Sequence, residues 1–250
     1  MLELEGLTKY FGGVRAVDGL DLTVGRGEIL GLIGPNGSGK STIVNLVCGL
    51  FPATAGRVRL GGTDISALPP HARVSLGIAR TFQNIRLFGQ LTVWQNLWVA
   101  QNSAEQRGRE NFLWRWLGGA RRARGEIDRT LKFFDLAHKR EELAANLAFG
   151  EQRRLEFARA LAANPSLLLL DEPAAGMNAE EIEQLDERIR QLRQSGITIL
   201  LIEHHMELVM AVTDRVAVLN FGQKIAQGTP AEIQANPLVR EAYLGSAKVA

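Results

Sequence analysis

The sequence predicts an α/β protein, with a mostly parallel sheet wrapped by helices and a helical lobe inserted into it. Three observations carry that expectation. Apolar runs at 29–33, 167–170, 197–202 and 216–219 lack alternation, as strands covered on both faces do. A glycine-rich octapeptide, Gly34-Pro35-Asn36-Gly37-Ser38-Gly39-Lys40-Ser41, stands between the first of these runs and a helix-like stretch, Thr42 to Leu50. The section from 85 to 164 reads as helical, with Asn164-Pro165 as its exit.

Taken in order, the first elements differ from the apolar runs. Leu2-Glu3-Leu4-Glu5, Leu20-Asp21-Leu22-Thr23-Val24 and Arg57-Val58-Arg59-Leu60 alternate, which predicts half-exposed antiparallel strands. Turns at Gly12-Gly13, Gly25-Arg26-Gly27 and Gly61-Gly62 separate them. Between the last three apolar runs lie helical patterns at 179–194 and 205–212, which completes alternating β and α units. The expected division is a core of 1–84 and 165–250, carrying the antiparallel part, with 85–164 as the inserted helical subdomain.

The octapeptide fits G-x-x-x-x-G-K-[ST]. Its glycines let successive N–H groups turn toward phosphate oxygens, and the following helix N-terminus favours an anion. Lys40 then reaches the outer phosphates while the Ser41 hydroxyl ligates Mg²⁺, with Thr42 next in line. The run Leu167–Leu170 ends in Asp171-Glu172. A carboxylate at a strand end beside a phosphate loop is suited to hold Mg²⁺ through its water shell, the role expected of Asp171. Glu172, one residue further, is placed to polarise the water that attacks a phosphate.

Composition narrows the setting. The 250 residues are 46% hydrophobic and 22% charged, ordinary for a globular protein. No apolar run is long enough to span a bilayer, and the first residues lack a signal-peptide pattern. With one cysteine, Cys48, there is no internal disulfide, and the expectation is a soluble protein of a reducing compartment. The net charge of +2 does not point to nucleic acid. Segment 103–129 nevertheless holds seven arginines against four acidic residues. All four tryptophans (94, 98, 114, 116) lie nearby. Internal packing of the helical lobe or a docking surface for a membrane-embedded partner would each use them.

The order of phosphate loop, Gln83, Leu147-Ala148-Phe149-Gly150-Glu151, Asp171-Glu172 and His204 resembles the ATP-binding cassette (ABC) ATPases over nearly the whole chain. The resemblance implies a P-loop, RecA-like core with an antiparallel β subdomain and an inserted α-helical subdomain. It implies ATP and Mg²⁺ as ligands, Glu172, Gln83 and His204 as catalytic groups, and Gln83 as an additional Mg²⁺ ligand. It also implies that Ala148, Phe149, Gly150 and Glu151 face the nucleotide of a second ATPase subunit, so that two chains sandwich two ATP molecules. The family's usual serine and glutamine are Ala148 and Glu151 here, which leaves backbone N–H groups as the donors. Ala175-Gly176-Met177-Asn178 fills the family's D-loop position at the subunit interface. Phe11 resembles the aromatic that stacks on adenine, with Tyr10 as its competitor.

Four stretches, 79–88, 171–178, 202–206 and the tail from Gly228 to Gly245, resemble the ATPases of branched-chain amino acid importers. That implies two transmembrane permease subunits, a second ATPase subunit, an external solute-binding protein acting indirectly, no nucleic acid, and a peripheral place on the cytoplasmic face of the inner membrane. Urea or related amides are alternative cargoes, and the lipopolysaccharide-exporting ATPases are the nearest alternative members. A soluble cassette protein of DNA repair or translation is the alternative of another class.

Overall fold

Each five-residue strand of the sheet feeds two apolar cores at once, which is why the central runs show no alternation. Leu168, Leu170, Ile199 and Leu201 point into one cluster, while Leu167, Leu169, Leu200 and Ile202 point into another on the opposite face. The computed structural model describes residues 1–105 and 120–245. The sheet has six strands: β3 (Ile29–Ile33), β6 (Ile78–Arg80), β7 (Leu167–Asp171), β8 (Thr198–Ile202), β9 (Arg215–Asn220) and β10 (Gln223–Gly228). Their spatial order is β10-β9-β3-β8-β7-β6, parallel throughout except for the antiparallel edge strand β10.

A second, antiparallel sheet covers one face. It comprises β1 (Leu2–Phe11), β2 (Val14–Val24), β4 (Ala55–Leu60) and β5 (Thr63–Asp64), in the order β2-β1-β4-β5. Leu2 pairs with Val24 and Leu60, and Leu4 with Leu22 and Val58, so the alternating apolar positions stack into the shared core. Helix α1 (Lys40–Val47) lies between this sheet and the parallel one, contributing Ile43, Val44, Leu46 and Val47.

The opposite face carries the helices. These are α3 (Val93–Glu105), α4 (Ala120–Phe133), α5 (Phe149–Ala162), α6 (Ala179–Gln194) and α7 (Met206–Val212), after the short α2 (Pro70–Ser75). Val93, Leu97, Ile127, Leu131, Phe134 and Leu155 join Leu168, Leu170, Ile199 and Leu201 in one continuous cluster. The helical section therefore shares its core with the sheet. Asn178 caps α6, accepting from the Glu181 N–H while the Glu181 carboxylate accepts from the Asn178 N–H. The chain closes with α8 (Pro230–Ala235) and α9 (Pro237–Gly245), which bring Ile233, Val239 and Tyr243 against Ile33, Val216 and Val218.

Several elements exceed the sequence expectation. The first strand runs on to Phe11, and the helix after the phosphate loop begins at Lys40 and stops at Val47. Strands β6 and β10 and helices α2, α8 and α9 were not legible as periodic runs, being three to nine residues long. Among the described residues no helix is long and apolar enough to cross a membrane.

Candidate functional site

Strand β3 delivers the chain into the phosphate loop, whose shape only glycine permits at two points. Gly34 has φ +151° and Gly39 φ +104°. A Cβ at Gly34 would collide with the Leu219 carbonyl oxygen, and one at Gly39 with that of Ala16. The loop is fastened by the Ser38 N–H donating to Pro35 O at 3.2 Å and the Gly222 N–H donating to Ser38 O at 3.1 Å. Lys40, only 8% exposed, donates from Nζ to Gly34 O at 2.7 Å, Pro35 O at 2.9 Å and Ser38 Oγ at 3.4 Å. Burial lowers its pKa from the ordinary lysine value, while the fields of Glu172 and Asp171 oppose that shift. Ser41 is exposed in the first turn of α1 beside a half-buried Thr42, where helix N–H groups and the dipole favour an anion.

Strands β6, β7 and β8 are parallel neighbours, so the residues following them emerge on one edge. Gln83 comes from the loop after β6, Asp171 and Glu172 from the end of β7, and His204 from the loop after β8. Gln83 Nε2 donates to Glu172 Oε2 at 2.8 Å, and His204 Nδ1 lies 3.9 Å from the same oxygen. The structure thus brings together three residues that stand 121 positions apart at their extremes (83 to 204). Glu172 holds a left-handed backbone, φ +48°, unusual for a side chain of its length, and its N–H donates to Ile202 O at 2.9 Å.

Asp171 is 4% exposed and pairs with Arg80, whose Nη2 lies 2.6 Å from Oδ2. The same guanidinium donates from Nη1 to Asn45 Oδ1 at 2.6 Å and stacks on the Phe82 ring at 5.1 Å. Sequence reasoning missed Arg80, since the arginine of a three-residue strand carries no motif signal. It missed Glu203 as well. That carboxylate is fully buried and accepts from the backbone N–H of Ala174 at 2.8 Å, His204 at 3.0 Å and His205 at 3.2 Å. It ties the loop after β7 to the loop that carries His204, and the only available signal was an acidic residue ending an apolar strand.

Phosphate loop, Asp171, Glu172, Gln83 and His204 form one constellation; Ala148, Phe149, Gly150 and Glu151 stand at another. Glu151 folds back on its own helix, accepting from the Ala148 N–H at 2.9 Å, with Lys139 Nζ at 4.0 Å. Its charge is spent on the N-terminus of α5. A Cβ at Gly150 would come within 2.5 Å of Glu181 Oε1, and the 54% exposed Phe149 packs over Gly176. Of the two aromatics near the N-terminus, Phe11 meets Phe51 edge-on at 5.4 Å, with Lys9 Nζ 5.0 Å from its ring centre. Tyr10 is tied by its hydroxyl to Asp18 at 3.3 Å and carries Arg15 over its ring. Phe11 is therefore the less committed ring.

Trp94 and Trp98 stack at 5.1 Å and 17° and are half-buried against the helical cluster, with Arg140 over Trp94 at 5.5 Å. This is the internal-packing alternative. Trp114, Trp116, Arg107, Arg109 and Arg115 lie outside the described residues. Burial pushes the Cys48 thiol up to about 11, which leaves it a neutral, apolar side chain.

Among the described residues no three His, Cys, Asp or Glu gather into a protein-made metal cage. The donor set on offer, a serine hydroxyl, a glutamine amide and one buried carboxylate, is that of a hard cation that keeps waters and phosphate ligands, which fits Mg²⁺.

A family model described as ABC transporter matches residues 17–175, and one described as branched-chain amino acid ATP-binding cassette transporter matches 223–249. The chain is 44% identical to the high-affinity branched-chain amino acid transport ATP-binding protein LivG of Salmonella typhimurium, over 99% of this chain and 98% of that one. It is 42% identical to BraF of Pseudomonas aeruginosa, with the same coverage. The lipopolysaccharide export ATP-binding protein LptB of Escherichia coli is more distant, at 38% over 98% and 97%. The fold matches a crystal structure of an ABC transporter's ATP-binding cassette in its ADP conformation with TM-score 0.84 and 32% identity, covering 98% of both chains. It also matches the dimeric, post-hydrolysis state of a cassette bound to ADP and Pi with TM-score 0.79 and 25% identity, over 92% of this chain and 99% of that one. A fold whose loops place lysine, carboxylates, glutamine and histidine on one sheet edge, matched at this identity over its whole length, makes the chain a member of the ABC transporter ATPase family.

Proposed function

We propose that the chain is the ATP-hydrolysing subunit of an importer for branched-chain amino acids, working at the cytoplasmic face of the inner membrane. It would act as a pair of ATPase subunits on two permease subunits, with an external solute-binding protein delivering the cargo. The observation that carries the hydrolytic part is the convergence of Gln83 and His204 on one oxygen of Glu172, beside a loop whose lysine is buried. The match of 223–249 to the branched-chain amino acid cassette model, with the 44% identity to LivG, supports the cargo.

In this reading Lys40 exchanges its contacts with Gly34 and Pro35 carbonyls for phosphate oxygens of ATP, a swap of partners that needs no change in the loop's fold. Glu172 accepts a proton from the attacking water, and the Gln83 amide orients that carboxylate. His204 reaches the same phosphate from β8. Ser41, the Gln83 amide oxygen and, through water, Asp171 would hold Mg²⁺, which neutralises charge between the outer phosphates when bound. Phe11 stacks on adenine. Ala148 to Glu151 face the nucleotide of the other subunit, with the backbone N–H groups of Phe149, Gly150 and Glu151 as donors, since that of Ala148 is held by the Glu151 carboxylate. Docking of the permease is supported by an apolar groove lined by Leu50, Pro70, Val74, Ala79, Phe82 and Ala100, which adjoins the loop of Gln83.

Two measurements test the reading. In the assembled transporter Glu172→Gln is expected to bind ATP yet lose about a hundredfold or more in turnover. Near-native turnover removes Glu172 as the base. Uptake of labelled leucine should disappear when the chain is deleted and return with the native gene; uptake that persists removes the cargo.

A further inference from the structure

Arg153 stands where the two halves of the proposed ATP sandwich meet within one subunit. It lies one turn into α5, four residues after Phe149, and is 8% exposed. Its planar fork spans two successive carbonyls of the loop after β6, with Nη1 donating to Phe82 O at 3.0 Å and Nη2 to Gln83 O at 2.6 Å. Glu156, 2% exposed and one turn on, sits 3.5 Å from Nη1 and accepts from the Arg86 N–H at 3.2 Å. The guanidinium also lies 5.6 Å from the centre of the Phe149 ring. The loop from 82 to 86 is thus attached to α5 at both ends. Its one polar reach to the sheet edge is the Gln83 side chain, 2.8 Å from Glu172.

We propose that Arg153 is a positioning residue that couples the segment Ala148–Glu151 to Glu172 of the same subunit, and so makes hydrolysis by the two subunits cooperative. The inference rests on the two-subunit reading given above, in which Ala148–Glu151 meet the other subunit's ATP. Glu172 is carried by β7, whereas the Gln83 backbone is carried by α5 through Arg153. A shift of α5 by about 1 Å on meeting a nucleotide therefore makes or breaks the Gln83–Glu172 hydrogen bond, whose strength falls off over that distance. The line Phe149, Arg153, Gln83, Glu172 is continuous contact, and its two ends serve different ATP molecules. Lysine cannot replace the fork, since a single ammonium cannot span both carbonyls in the same planar geometry.

The test uses the chain assembled with its membrane subunits and varies ATP concentration. Native hydrolysis should show a Hill coefficient near the two-site limit of about 2, and Arg153→Lys should bring it toward about 1 while circular dichroism shows the protein still folded at the assay temperature. Gln83→Ala, which also removes a proposed Mg²⁺ ligand and so lowers turnover outright, should lose cooperativity as well, and adding Arg153→Lys to it should cost no further cooperativity, because both cut the same link. A native coefficient of 1, an Arg153→Lys variant with native cooperativity, or losses that add independently would each overturn the coupling. Sedimentation of Glu172→Gln with ATP separates the two levels. Failure to pair overturns the sandwich reading itself, while pairing with cooperative Arg153→Lys overturns only the link.

Discussion

At the scale of single residues the site depends on groups that touch no substrate. Glu203 is fully buried and stabilised by three backbone N–H groups. Glu203→Gln keeps the shape but turns an amide NH₂ toward at least one of those donors, leaving it unmatched at a cost of about 1–3 kcal/mol. Chemical denaturation should show that loss, and turnover should fall with it because His204 is no longer held; an unchanged unfolding midpoint would refute the role. Lys40→Ala is the complementary case. Its loss should appear in ATP affinity, measured by calorimetry, more than in stability, since its present partners are carbonyls that water can satisfy. The sequence showed Lys40 and Glu172 because their motifs are local. It did not show Glu203 or Arg80, whose importance comes from partners 29 and 91 residues away.

At the scale of elements, legibility followed length and burial. The apolar runs at 29–33, 167–170 and 197–202 were readable because two cores demand apolar side chains on both faces. Short β6 carries only three residues and was not, though it positions both Arg80 and Gln83. Truncating Leu168, which faces the helical cluster, should destabilise by about 2–5 kcal/mol in denaturant titration. Helix α5 adds a pH dependence. Burial raises the pKa of Glu156 above its ordinary 4.5, against the opposing fields of Arg153 and Arg159. A carboxyl raised in the fold favours folding below its unfolded value, and that contribution is lost as pH rises through the folded one. Glu156→Gln should therefore flatten the fall of melting temperature with rising pH above about 4.5.

At the scale of the molecule the helices at 93–162 and the sheet share one cluster, so they should unfold in a single calorimetric transition. ATP at a hundred times its dissociation constant should raise stability by about 2.7 kcal/mol, read as a shift in that transition. The left-handed backbone of Glu172 sets stability and turnover against each other within that same measurement. A long side chain in this conformation costs about 1–2 kcal/mol, which glycine does not incur. Glu172→Gly therefore removes the proposed base while relaxing the chain, and the inert protein is expected to outlast the working one on heating. A screen for heat-resistant variants would be drawn to this position, and a screen for turnover would be driven away from it.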